Sequence, residues 1–175
     1  MHIPTFDEAL TLASGRVALC SELKDPEVYA REGVDILALY RAALDRHRAG
    51  AGHIVQSFHE ATIRRAASLI DPVVRRVVLI EPPDIDPWLS AHRLTDAATF
   101  ATVIGPGKPA VGAHPELVRL AQDAGLTVTP WTFRTRSCAP FPDVGAEMQH
   151  YLAELGVDGV ITDEPDRYPS LGSSR

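Results

Sequence analysis

The chain has 175 residues, of which 45% are hydrophobic and 23% are charged, and its formal net charge is -6. This length fits one ordinary domain of about 100–200 residues, and the composition is typical of a globular protein. The negative net charge argues against nonspecific nucleic-acid binding, so phosphate chemistry would need local positive charge. No apolar run approaches the roughly 18 residues of a membrane span, and the first residues do not have the pattern of a signal peptide.

Helix and strand signals alternate along the chain. Thr5 and Glu8 form a capping box, which predicts a first helix that ends near residues 14–15. Asp35 is the predicted N-cap of a second, longer helix, and later helical patterns lie around residues 63–70, 115–125 and 144–155. Short apolar runs predict strands at residues 17–20, 54–58, 77–80, 126–133 and 157–161.

Two ranges depart from this alternation. Proline and glycine are dense between residues 84 and 110, so we interpret that range as an irregular insertion with one short helix near residues 96–101. The tail at residues 170–175 is rich in serine and is expected to be loose. Elsewhere strand and helix alternate about every 25 to 35 residues, which predicts an α/β fold with a parallel sheet and helices outside it.

Charged and polar residues follow the predicted strands, at the edge where α/β barrels place their chemistry. Glu22 and Lys24 follow the first strand, and their spacing puts them on one face. A carboxylate can bind a hard divalent cation there, and a lysine can hold a phosphate oxygen. The alternative is an ordinary ion pair on a sheet face.

Aromatic and basic residues end two other predicted strands. Phe58 and Trp131 could wall a pocket, and Arg134 could bind an anion, although core packing and a solvated arginine would also explain them. His59 is the histidine best placed for chemistry, because it follows a strand end. Cys20 and Cys138 form no metal or redox motif, so we expect two free thiols unless the fold brings them together.

Seven short motifs, taken in order, resemble those of glycerophosphodiester phosphodiesterases. They are Ile3-Pro4-Thr5-Phe6-Asp7-Glu8, Ser21-Glu22-Leu23-Lys24-Asp25-Pro26, Gln56-Ser57-Phe58, Ile104-Gly105-Pro106, Ala124-Gly125-Leu126-x-Val128, Trp131-Thr132-Phe133-Arg134 and Gly156-Val157-Asp158-Gly159-Val160-Ile161-Thr162-Asp163. Each motif is weak alone, and their shared order carries the resemblance. The Gln-Ser-Phe and Thr-Phe-Arg forms look like the periplasmic or secreted branch of the family.

The resemblance implies a TIM-type barrel that hydrolyses glycerophosphodiesters to an alcohol and glycerol 3-phosphate with bound Ca²⁺ or Mg²⁺. It implies that Glu22 is a metal carboxylate, that Lys24 contacts phosphate, and that Phe58 and Trp131 line the substrate pocket. A closed barrel needs eight strands and typically about 250 residues. We therefore expect residues 1–169 to form the C-terminal part of an incomplete barrel, with about five parallel βα units.

The chain also departs from the family pattern. It contains no His-Arg-Gly and no His-Asp sequence, and its one Glu-x-Asp is Glu164-Pro165-Asp166. The family's acid and base histidines and two of its metal carboxylates therefore have no counterpart, and we assign no catalytic residue. His59 or His114 could substitute as the base, but neither matches a family position. Any divalent cation should bind weakly or not at all, because Ca²⁺ takes about six to eight oxygen ligands.

Three hypotheses follow from these residues. The chain is a glycerophosphodiester phosphodiesterase or a fragment of one, a non-catalytic remnant that acts as a binding or assembly module, or an unrelated phosphate-binding α/β protein. We expect no turnover by the chain alone, because hydrolysis needs a positioned acid and base. We also expect strand edges at residues 17–21 and 157–161 that promote self-association.

Overall fold

A computed structural model describes residues 2–170, so residues 171–175 of the predicted loose tail lie outside the described part. The chain divides into two compact units. Unit 1 comprises Met1–Leu79 and Phe100–Thr102, and unit 2 comprises Ile80–Thr99 and Val103–Arg175. No helix among the described residues is both long and apolar enough to cross a membrane.

Unit 1 alternates helices with parallel strands. Its elements are α1 (Phe6–Ala13), β1 (Cys20–Glu22), α2 (Pro26–Arg31), α3 (Ile36–His47), β2 (Ile54–Ser57), α4 (Glu60–Leu69) and β3 (Arg75–Ile80), whose last residue falls in unit 2. β1 pairs with β2 and β2 with β3, so that Ser21 lies opposite Val55 and Val55 opposite Arg76. Thr5 forms the predicted capping box with Glu8, and Asp35 caps α3 as predicted.

Unit 2 follows the same alternation. Its elements are α5 (Ala91–Ala98), β4 (Val103–Pro106), α6 (Lys108–Ala113), α7 (Glu116–Asp123), β5 (Thr127–Val128) and α8 (Val144–Ala153), with 3-10 turns at Pro82–Asp84, Asp86–Leu89, Thr135–Ser137 and Pro165–Arg167. β4 and β5 are parallel, with Ile104 opposite Val128. Within each unit the paired strands are thus parallel, which confirms the predicted α/β class and is consistent with a partial TIM-type barrel.

The core of unit 1 lies between its strands and helices. Leu37, Tyr40 and Leu44 recur at helical spacing on the buried face of α3, and Val55 of β2 is fully buried in the same cluster. Burial of each large apolar side chain is worth about 1.5–3 kcal/mol. In unit 2 the buried face of α7 carries Leu117, Val118 and Ala121, a pattern with the same origin.

The first strand begins later than predicted. Arg16 and Val17 donate backbone hydrogen bonds to the Ala13 carbonyl, so they extend the turn that ends α1 and are not free to pair as a strand. Val17 is 67% exposed. Pairing starts only at Cys20, and Glu22 is therefore the last residue of β1 instead of following it.

The prediction of an irregular insertion at residues 84–110 is wrong. The range contains a regular helix, α5, at Ala91–Ala98 and a fully buried strand, β4, at Val103–Pro106. Its glycines and prolines lie mainly at the end of β4, where Gly107 packs against Pro82. Proline there marks the end of a strand and the start of a helix, which a count of glycine and proline alone does not distinguish from a loop.

The predicted strand at residues 157–161 is not a regular strand. Asp158 and Ile161 donate to the carbonyls of Val128 and Pro130, and an isolated bridge just beyond the stretch joins Phe133 to Thr162. A parallel ladder alternates donors and acceptors, so the carbonyl of residue 158 would require an N–H at residue 130. Proline has none, which interrupts the ladder and also shortens the predicted strand at 126–133 to Thr127–Val128.

Asp35 provides a test of unit 1. Its side chain accepts hydrogen bonds from the N–H groups of Leu37 and Ala38 at 3.1 Å, and its other oxygen lies 2.6 Å from Arg65. Asp35→Ala should therefore lower the free energy of unfolding by about 1 kcal/mol, whereas Asp35→Asn should retain most of the cap. Urea unfolding of both variants at neutral pH measures this difference, and equal losses would contradict it.

The same carboxylate predicts a pH dependence. The Arg65 guanidinium, and next the Ala38 N–H, hold the pKa of Asp35 below its ordinary value of 3.8. The unfolded chain then binds the proton first, so this contribution is complete above pH 3.8 and is lost as the pH falls through the lower folded pKa. Asp35→Asn should show a smaller loss of stability in that acidic range than the parent chain.

Candidate functional site

Three of the residues predicted for the site lie at one edge of unit 1. Glu22 ends β1 opposite Gln56, Lys24 follows two residues later, and Phe58 comes directly after β2. Because β1 and β2 are parallel, their carboxyl ends lie at the same edge. Glu22 and Lys24 are exposed, and Phe58 is 41% exposed. The structure therefore brings these three positions to neighbouring strand ends.

Glu22 and Lys24 do not form an ion pair with each other. Among the described residues neither side chain has a hydrogen bond or an ion pair. The interpretation of this motif as an ordinary ion pair is therefore not supported. A carboxylate and an ammonium that are both solvated and unpaired remain available to a ligand.

Glu22 and Lys24 lie on the rim of an open cleft of about 550 Å³. Tyr29 and Tyr40 contribute aromatic walls, and α1 and α3 supply further apolar residues. The Tyr40 hydroxyl is shielded from solvent and has no hydrogen-bond partner among the described residues. Burial raises the pKa of Tyr40 to about 12, and the nearby Ser21 hydroxyl opposes this rise. Tyr40 is thus a neutral wall of the cleft.

His59 has a structural role at the start of α4. Its ring Nδ1 lies 2.9 Å from the Thr62 hydroxyl, and its backbone N–H donates to the buried Ser57 hydroxyl at 3.1 Å. Ser57 in turn donates to the Leu23 carbonyl at 2.7 Å and ties the ends of β1 and β2 together. One ring nitrogen of His59 is therefore already used.

Trp131 and Arg134 belong to unit 2. Trp131 bridges Gly107 just beyond β4, and its indole N–H donates to the Gly105 carbonyl at 2.7 Å. Arg134 Nε lies 2.7 Å from Asp163 Oδ2. Asp163 therefore neutralises much of the positive charge that Arg134 would offer to an anion. The two residues lie in a different unit from Glu22, Lys24 and Phe58, and the convergence of all five stays a prediction.

A buried ion pair in unit 2 was missed by the sequence analysis. Lys108 Nζ lies 2.7 and 2.8 Å from the two carboxylate oxygens of Glu147, and both residues are buried. Lys108 follows β4 as Lys24 follows β1. It could have been found by the same rule if β4 had been recognised, whereas no local signal identifies Glu147, 39 residues away.

The comparisons with known proteins identify the family. A sequence model described as "Glycerophosphoryl diester phosphodiesterase family" matches residues 1–167. The chain belongs to this family. No curated protein matches it significantly.

Solved structures of this family have a similar fold. A glycerophosphodiester phosphodiesterase from Parabacteroides distasonis is 20% identical to this chain, with a TM-score of 0.68. The match covers 93% of this chain and 61% of that one. A protein from Silicibacter pomeroyi, described as a candidate glycerophosphoryl diester phosphodiesterase, is 27% identical to this chain, with a TM-score of 0.70. That match covers 95% of this chain and 55% of the other. The chain thus spans about three fifths of the length of these relatives.

The divalent cation that the family resemblance implies does not fit the residues described. No group of three histidine, cysteine or acidic side chains among residues 2–170 could hold a metal ion. Glu22 supplies a single carboxylate, whereas Ca²⁺ takes about six to eight oxygens and Mg²⁺ prefers an octahedral set. Both cysteines are free thiols, as predicted, with Cys138 buried.

Gly107 provides a test of the edge that carries Trp131. A Cβ added at Gly107 would lie 2.6 Å from Pro82 Cγ and 3.0 Å from its Cδ, a clash with a rigid ring. Gly107→Ala should lower the free energy of unfolding by about 1–3 kcal/mol. Gly159→Ala is the matched control, because its nearest contact would be 3.6 Å from Thr129 Oγ1. Equal denaturant midpoints for the two variants would contradict this packing.

Proposed function

We propose that this chain binds the phosphate of glycerophosphodiesters or of glycerol 3-phosphate and does not hydrolyse them by itself. Membership of a family named for glycerophosphoryl diester phosphodiesterases supports the substrate class. The observation that carries the proposal is the unpaired state of Lys24 at the carboxyl end of β1. An ammonium with no internal partner can donate to phosphate oxygens without first breaking an ion pair.

The remaining residues have distinct proposed roles. Phe58 is half-exposed at the next strand end, which suits an apolar wall for the glycerol or head-group carbons. Trp131, in unit 2, is proposed as an aromatic substrate contact, because its indole N–H is fixed to a backbone carbonyl and holds the ring in one orientation. Arg134 is proposed as a weaker anion contact, since Asp163 competes for its guanidinium. Glu22 is proposed as the residual metal carboxylate, too isolated to retain a cation.

The contacts of two histidines, His59 and His114, lead us to propose that the chain has no turnover. A phosphodiesterase needs a base for the nucleophile and an acid for the leaving alkoxide, a contribution of roughly 10²–10⁴-fold. His59 is held by Thr62, and His114 Nδ1 lies 3.5 Å from Glu116. These contacts give neither histidine a role as an acid or a base. Binding without hydrolysis is the function that agrees with both the family and these contacts.

A second candidate function is an assembly module. Among the strands of unit 1, β1 pairs only with β2, so its other edge has unpaired backbone groups. Leu39 and Tyr29, beside the cleft, are 60% and 48% exposed. A bare strand edge beside exposed apolar side chains favours association with another chain.

The test compares Lys24→Met with Arg75→Met in calorimetric titrations with glycerol 3-phosphate. Loss of a charge-assisted contact of about 1.5–3 kcal/mol should weaken binding by roughly 10- to 100-fold in Lys24→Met. Arg75 is an exposed cation at the amino end of β3, so its removal should have little effect. Equal affinities for the two variants would refute the proposed contact.

Turnover is measured on the same preparations. With glycerophosphocholine and added Ca²⁺ or Mg²⁺, the chain should release no choline. Metal-dependent release that Glu22→Ala abolishes would contradict the absence of hydrolysis. A chain that shows no phosphate binding but whose mass rises with concentration in sedimentation would favour the assembly module.

A further inference from the structure

Lys108 occupies an unusual position for a lysine. It is 8% exposed and its partner Glu147 is 4% exposed. Its ammonium donates to both Glu147 carboxylate oxygens and, at 2.7 Å, to the Ser137 carbonyl. These three contacts use all three donors of the ammonium. Lys108 therefore has no donor left for a ligand, and its role lies in what it holds.

The backbone of Lys108 is also fixed. Its N–H donates to the Trp131 carbonyl at 2.7 Å, and its own carbonyl accepts from the buried Tyr151 hydroxyl at 2.8 Å. Lys108 thus contacts residue 131 through its backbone and residue 137 through its side chain. The chain between those contacts carries Trp131 and Arg134.

We propose that Lys108, held in place by Glu147, is a positioning residue that clamps both ends of the segment Trp131–Ser137, here called the clamped segment. This inference rests on the proposed function, in which Trp131 and Arg134 contact the substrate. It goes beyond that function by assigning their placement to a buried ion pair that is not itself proposed to contact the substrate.

The middle of the segment is restrained by other contacts, whereas Ser137 is bonded outside its own turn only to Lys108 among the described residues. Phe133 is fully buried, donates to the Ile161 carbonyl and accepts at its own carbonyl from the Asp163 N–H. Thr135 donates its N–H and its hydroxyl to Glu164. Ser137 N–H donates to the Arg134 carbonyl inside a single 3-10 turn. An isolated turn is a weak restraint, so the bond from the lysine to the Ser137 carbonyl fixes where the turn lies.

The alternative is that the pair only fills space in the core of unit 2. Removal of one partner cannot distinguish a positioning role from a space-filling role, because an unpaired buried charge is strongly destabilising by itself. The double variant Lys108→Met/Glu147→Leu can. Replacement of both charges by apolar side chains is often neutral or stabilising, yet it leaves the Ser137 carbonyl without its donor.

The experiment measures amide hydrogen exchange in the full chain. In the double variant the amide of Ser137, at the end that Lys108 holds, should exchange at least about tenfold faster than in the parent. The internal control is the amide of Leu126, which donates to the Ala121 carbonyl of α7. Its exchange rate should be unchanged. Unchanged exchange in the clamped segment of a folded double variant would overturn the inference.

A second variant covers loss of folding. If the double variant is unfolded by circular dichroism, Glu147→Gln is measured instead, and the ratio of Ser137 to Leu126 exchange is compared with that of the parent. A raised ratio supports local release of the clamped segment, whereas an unchanged ratio means general destabilisation and overturns the clamp.

Ligand binding separates this inference from the proposed function. Glycerol 3-phosphate is titrated into the same variant. Faster exchange together with weaker binding supports both. Faster exchange with unchanged affinity supports the clamp but overturns the role of Trp131 and Arg134 in binding. Tyr151→Phe, which removes only the hydroxyl bond to the Lys108 carbonyl, should leave Ser137 exchange near that of the parent.

Discussion

Parallel strand pairing is the constraint on which both units depend. In a parallel ladder the carboxyl ends of neighbouring strands lie at the same edge, so whatever follows each strand collects there. Glu22, Lys24 and Phe58 share an edge in unit 1 for this reason. Lys108 and Trp131 follow neighbouring paired stretches in unit 2 for the same reason. The site residues are therefore assembled by the backbone, and their chemistry depends on which of their charges stay unpaired.

Charge pairing then divides these residues into two groups. Lys108 and Arg134 each have an internal carboxylate partner, and Lys24 has none among the described residues. A buried pair must be satisfied internally because an unpaired charge in a low-dielectric interior is costly. An exposed, unpaired ammonium pays no such cost and can exchange water for a phosphate oxygen. The same residue type thus serves structure at one strand end and is proposed for binding at another.

Local signals predicted much of the fold but not its pairings. The caps at Thr5 and Asp35 and the approximate positions of β1 and β2 could be predicted, because each depends on residues close in sequence. β4 was missed because its buried residues Val103 and Ile104 are followed at once by glycine and proline. The failure of the strand at 157–161 depends on Pro130, a distant partner that only the register reveals. Lys108–Glu147 and Arg134–Asp163 likewise join residues 39 and 29 positions apart and leave no local pattern.

The central proposal is that Lys24 and Phe58, at the carboxyl ends of β1 and β2, bind a glycerol phosphate. The most direct test is a proton–nitrogen correlation spectrum of the chain during titration with glycerol 3-phosphate. We predict saturable shifts of the Lys24 and Phe58 amides. Saturable shifts confined to residues at the amino ends of the strands, such as Arg75, or no shifts at any concentration, would contradict it.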